Sequence, residues 1–220
     1  MSEQPPRLLV VAHGTASVAG RTTTERLVAA VAAARDVPVE RCFLDVVDPR
    51  LPDALDGSPT VVVPLLLSTG YHVQSDIPAA VAAHPRTAIA RHLGPDDLLI
   101  DALLDRMGPP GEAVALVGAG SSRDEAAAEL ADTATRLGQR VQRDVTVLTM
   151  ADDLASAFAS LPRPLSVATY LLAEGYFADT LRRAAEPGVT VAPPLGVHPA
   201  LVELVWRRYD DAVSAVSAVR

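Results

Sequence analysis

Lysine is absent from this 220-residue sequence: all 19 basic residues are Arg. That excludes Schiff-base catalysis, a lysine general base and a Walker-type phosphate loop, each of which needs an ε-amino group. Cysteine occurs once, at Cys42, so no internal disulfide or cysteine-rich metal site can form, and a small buried thiol is its expected role. Aromatic residues make up only 4%, which leaves the core to Ala, Val and Leu. No apolar run nears the ~20 residues of a membrane-spanning helix. The sequence also opens without a charged segment leading into an apolar one, so a cytoplasmic protein with no membrane partner is expected. A basic excess is missing too. The formal net charge of −8 argues against a nucleic-acid partner, because such proteins need a basic face to displace counterions. An acidic small ligand would have to be met by Arg residues focused in a cleft.

What is present is alternation. Short apolar runs at Leu8–Ala12, Cys42–Val47, Thr60–Leu67 and Ala88–Ala90 read as buried parallel strands. Between them lie a helix over Thr22–Arg35, opened by a Thr22/Glu25 capping box, and one over Asp76–Ala83, opened by an Asp cap with an early Pro. Leu98–Met107 forms another helix. The second half repeats the order with a strand at Ala113–Val117, a helix at Arg123–Leu137 behind a Ser122/Glu125 box, strands at Val145–Thr149 and Leu165–Leu172, and a helix from Ala200 onward. The fold class expected is α/β, with mostly parallel sheets flanked by helices on both faces.

The two halves also align with each other. "VVAHGTAS" lies over "LVGAGSSR", "VVVPLLLSTGYHVQSDIPAAV" over "SVATYLLAEGYFADTLRRAA", and "RHLGPDDLLIDALLDRM" over "PPLGVHPALVELVWRRY", at offsets of 106, 105 and 102 residues. An internal duplication gives two lobes, residues 1–110 and 111–220, joined near Gly108–Glu112.

Ligands in such folds bind beyond the carboxyl ends of the strands. His13 follows the first strand, Asp45 ends the second, and His72 follows the third. Two imidazoles and a carboxylate suit both metal capture and proton removal near neutral pH. The duplication sets His13 over Ala119 and His72 over Phe177, so both imidazoles are missing from the second copy. A single asymmetric site in the first lobe follows. Tyr71 and Tyr176 do correspond, which favours packing at a turn. Gly14 and Gly70 read as turn glycines, and Ser68 and Thr69 offer hydroxyls to a substrate carboxylate or to local backbone. His84, His92 and His198 are expected to be structural or at the surface. A histidine phosphatase would need Arg before the His–Gly pair, where this chain has Ala12.

"AHGT", "FLDVVDPRLPDAL" and above all "GYHVQSDIP" resemble segments of the sirohydrochlorin chelatases, the class II type of metal chelatase, and the resemblance spans nearly the whole chain. It implies an enzyme that puts a divalent ion into sirohydrochlorin, a tetrapyrrole with eight carboxylates, held between the lobes. The metal would be Fe²⁺, or Co²⁺ in a cobalamin route, taken as a substrate, with no permanently bound cofactor. The resemblance places metal handling on His13 and His72, supported by Asp45 where the family usually has Glu. Substrate contacts would come from Gly14, Thr15, Ser68, Thr69, Gly70 and Tyr71. The family's "HGSR" reads "HGTA" here, which passes the Arg's part to Arg123, with Arg91 a second carboxylate partner. A non-catalytic tetrapyrrole or metal carrier could use the same residues, and the chain could act as a monomer or homodimer.

Overall fold

A computed structural model of the protein describes residues 5–217. Two four-stranded sheets are present, and every strand pair within them is parallel. The first contains β1 (Arg7–Ala12), β2 (Val39–Phe43), β3 (Thr60–Pro64) and β4 (Thr87–Ile89) in the order β2-β1-β3-β4. The second contains β5 (Ala113–Gly118), β6 (Val145–Thr149), β7 (Leu165–Tyr170) and β8 (Val189–Val191) in the order β6-β5-β7-β8. The orders are the same, as an internal duplication requires, and the α/β class with two similar lobes stands.

Each sheet is covered on both faces, and the alternation along β1 shows how. Leu8, Val10 and Ala12 point into a large core shared with α1 (Val18–Ala34), α4 (Asp97–Met107), α5 (Asp124–Val141) and α8 (Pro199–Ser217). Leu9 and Val11 point the other way, onto α2 (Leu51–Ala54) and α3 (Ile77–Val81). The outer face of the second sheet is closed by α6 (Leu154–Ala159) and α7 (Tyr176–Ala184). Cys42 lies in the outer core of the first lobe, fully buried, and burial pushes its thiol up to about 12. It is a packing residue with no thiolate at neutral pH.

The last helix of each half crosses over. α4 packs on β7 of the second sheet, and α8 on β3 and β4 of the first. The lobes are therefore interlocked around one core. Among the described residues no helix is long and apolar enough to cross a membrane.

Three helix starts differ from the sequence expectation. α1 begins at Val18, capped by the Ser17 hydroxyl accepting from Gly20 N; Thr23 and Thr24 sit inside the helix and donate back to carbonyls four residues earlier. The cap of α5 is Arg123, with no side-chain bond, so the Ser122/Glu125 box does not form. Asp76 caps nothing. It closes a π-helical turn, His72–Asp76, that runs directly into α3.

Candidate active site

The parallel ladder between β1 and β2 continues past the strand ends: Leu44 N donates to Ala12 O and Asp45 N to His13 O at 2.9 Å. This sets Asp45 beside His13 although β2 stops at Phe43, two residues earlier than the reading that Asp45 ends the strand. The crossing depends on Gly14, whose φ of +97° favours glycine; a β-carbon there would collide with the Asp45 carbonyl oxygen. Val46 is also left-handed, at φ 68°, in a tight turn closed by Val47 N to Asp45 O. A β-branched residue in that region stores strain. The Asp45 carboxylate holds the turn by accepting from Val46 N at 2.8 Å and from Arg50 at 3.2 Å.

β3 lies against β1, so the loop leaving it returns to the same edge. The π turn delivers His72 to His13, their ring centroids 4.8 Å apart with planes tilted by 48°. An isolated π turn within helical structure is uncommon and recurs at functional sites. Here Asp76 Oδ2 lies 2.5 Å from His72 Nδ1. An ionised carboxylate can only accept, so Nδ1 carries the hydrogen, which makes Nε2 the nitrogen that would turn a lone pair to a metal. Asp76 is a positioning residue that sequence reading missed, although its i,i+4 spacing from His72 is the signal that could have found it.

Burial and the neighbouring His72 hold the His13 pKa below its usual value, against an upward pull from Asp45. Both effects keep the imidazole neutral and able to bind a metal at neutral pH. Asp45 is exposed and its carboxyl is held below the usual range, first by Val46 N–H and then by Arg50 and His13. Among the described residues no three His, Cys, Asp or Glu side chains form a metal-holding group. His13 and His72 thus stand together without a third ligand among the described residues. We expect Asp76→Asn to lower Co²⁺ affinity about 10–100-fold in anaerobic calorimetric titration without changing the melting temperature.

His13 opens on a cavity of about 580 Å³ between the carboxyl ends of β1 and β5, within the roughly 300–1,000 Å³ typical of small-molecule sites, and His72 reaches it only through its contact with His13. His13, Gly14, Thr15 and Ser68 line it from the first lobe; Ala119, Gly120, Tyr176 and Phe177 line it from the second. Asp45, Thr69, Gly70, Tyr71, His72 and Arg123 do not. Tyr71 is 61% exposed, its ring edge-on to His72 at 6.4 Å, so it is not packed at a turn as its repeat suggested. Arg123 contributes a backbone amide to Ser121 Oγ, and Arg91 is exposed on the loop after β4. The Arg that faces the cavity is Arg21, whose Nη1 donates to Thr15 O and Ala16 O. It lies five residues beyond Ala16, where "HGSR" has its Arg, and carries no local sequence mark.

Thr69 has a different employment. Its amide and hydroxyl donate to the Glu129 carboxylate at 2.5 and 2.9 Å, and His92 Nε2 lies 3.0 Å from the same group. A second-lobe acid thus pins the first-lobe loop that leads to His72. Burial, the largest influence, lowers the His92 pKa despite Glu129. Below its ordinary 6.5 the unfolded chain takes up a proton that the folded one resists, so this term removes stability as pH falls through 6.5 toward the folded value. His13 acts in the same direction. The thermal midpoint should drop between pH 7.5 and pH 5.5, and drop less in His92→Gln.

Two interlocked α/β lobes, each with the same parallel strand order, and a cavity between their strand ends form a chelatase-like fold. The CbiX family model matches residues 7–109 and again 113–212, one copy per lobe, and the chain belongs to the CbiX family. Among solved structures it is similar to the sirohydrochlorin chelatase SirB of Bacillus subtilis subspecies spizizenii in complex with cobalt (TM-score 0.82, 20% identity, 95% of each chain covered). It is also similar to SirB of Bacillus subtilis with Fe³⁺ (TM-score 0.83, 22% identity, 98% of each chain). A third similar structure is CbiX, described as the terminal enzyme for biosynthesis of siroheme in denitrifying bacteria (TM-score 0.69, 22% identity, 94% of this chain and 99% of that one). No curated protein sequence matches.

Proposed function

We propose that the chain is a sirohydrochlorin chelatase that inserts Fe²⁺ into the tetrapyrrole in the inter-lobe cavity, for siroheme synthesis. The observation that carries this reading is the His13–His72 pair, 4.8 Å between ring centroids, with His13 lining a ligand-sized cavity and, among the described residues, no third ligand. Two neutral imidazoles hold a divalent ion but surrender it to four ring nitrogens, whereas a closed cage would not. Each insertion releases two pyrrole protons. His13 and His72 receive the ion and relay those protons, Asp76 orients His72, and Asp45 adds negative charge beside the site. Gly14, Thr15 and Ser68 face the macrocycle, and Arg21 meets one of its carboxylates; Arg is suited to that pairing.

The metal passes through as a substrate and no cofactor stays bound. The duplicated chain provides both lobes, which suits a monomer working in the cytoplasm. Cobalt is the second reading, because the same ligands accept Co²⁺ and supply governs the choice in cells.

The test is anaerobic absorption spectroscopy of sirohydrochlorin with Fe²⁺ or Co²⁺ and substoichiometric protein. A chelatase metallates many equivalents at a rate above the uncatalysed reaction. A carrier binds at most its own equivalent and leaves the rate unchanged, which would refute the proposal.

A further inference from the structure

The aromatic residues of this chain divide sharply. Phe43, Phe158, Tyr170, Trp206 and Tyr209 are buried, whereas Tyr71, Tyr176 and Phe177 are 61%, 73% and 43% exposed. The three exposed rings lie in two segments that the duplication makes equivalent, Gly70–His72 at the start of the π turn and Gly175–Phe177 at the start of α7. In the second of these Phe177 stands where His72 would be, and the position matching His13 is Ala119. Tyr176, Phe177 and Ala119 all line the inter-lobe cavity.

We infer that the second lobe has exchanged a metal site for a stacking seat, in which Tyr176 and Phe177 receive one face of the flat macrocycle while its centre is presented to His13 and His72. This inference rests on the chelatase reading. Large apolar rings left open to water favour a ligand that covers them, and the flanking chain leaves room for one: Gly118, Ala119 and Gly120 present almost no side chain. The two rings stand 6.0 Å apart, tilted by 56°, and Arg183 lies over Tyr176 at 5.9 Å, which steadies the outer ring by a cation–π contact. The loop is braced from the first lobe, because Gly20 of α1 packs under the Glu174 carbonyl and Ser17 against Gly175. Arg21, one residue on, faces the same cavity. A planar, apolar ring system edged with carboxylates fits this surface; a linear or purely polar ligand would leave the aromatic faces wet.

The experiment is a fluorescence titration of metal-free sirohydrochlorin against the full chain and the double variant Tyr176→Ala/Phe177→Ala, with Co²⁺ binding measured separately by calorimetry. The double variant should bind the macrocycle at least tenfold more weakly and show a raised KM, with Co²⁺ binding at the histidine pair unchanged. The single variant Phe177→Trp, which keeps an aromatic face beside Tyr176, should bind the macrocycle within twofold of the parent. Macrocycle affinity within twofold of the parent in the double variant would overturn the seat while leaving the chelatase reading standing. A parent that binds no sirohydrochlorin would overturn both.

Discussion

Replacing His13 or His72 with Ala is expected to abolish metal insertion while leaving a folded protein. His13 stands exposed on the loop after β1 and lines the cavity, His72 opens the π turn half-buried, and neither belongs to the hydrophobic core. Truncation therefore costs little packing. The chemical loss is large, because the proposed pair has no third His, Cys, Asp or Glu beside it among the described residues to take its place, and a positioned acid–base group alone contributes roughly 10²–10⁴-fold in rate. Initial rates of sirohydrochlorin metallation, corrected for the uncatalysed reaction, should fall to background in both variants, with circular dichroism and melting temperature unchanged. Turnover retained in both would remove the histidines from the mechanism.

Gly14→Ala is expected to damage stability and activity together. The residue sits at φ +97°, and an added methyl would strike the Asp45 carbonyl oxygen on the neighbouring loop. Backbone must move, and here the neighbour is main chain that cannot rotate away. The left-handed conformation alone costs about 1–3 kcal/mol in such positions, which should be visible as a lower denaturation midpoint. Relief of the clash pushes apart the His13 and Asp45 loops, which are held by Asp45 N donating to His13 O. Metallation should fall more than tenfold even where the variant remains folded at the assay temperature. Unchanged stability and rate would mean that the close approach is dispensable.

Much of this was legible in the sequence because it depends on local signals. The strand ends before His13 and His72 put both at one sheet edge, and the duplication set them apart from Ala119 and Phe177; the structure brings the two rings to 4.8 Å of each other. What was not legible depends on contacts between distant segments. The pattern of Leu98–Met107 announces an amphipathic helix without saying which sheet it covers, so the exchange of α4 and α8 between lobes was invisible. Thr69 read as a substrate ligand because Glu129, 60 residues away, could not be known to lie beneath it. Asp76 was misread for a subtler reason. Asp followed by an apolar residue and Pro is a sound helix-start signal, but the chain enters that helix already wound in a π turn, leaving no unwound residue to cap. Its carboxylate turns instead to His72. Arg21 went unmarked because a single Arg on an Ala-rich helix looks like any solvated face.

Diffraction at the cobalt absorption edge, from crystals grown anaerobically with Co²⁺ and no tetrapyrrole, tests the central claim most directly. The account predicts one dominant anomalous peak within bonding distance of His13 and His72, with Asp76 still on His72 Nδ1, and no peak in the second lobe. Cobalt bound elsewhere, with both imidazoles free, would contradict it.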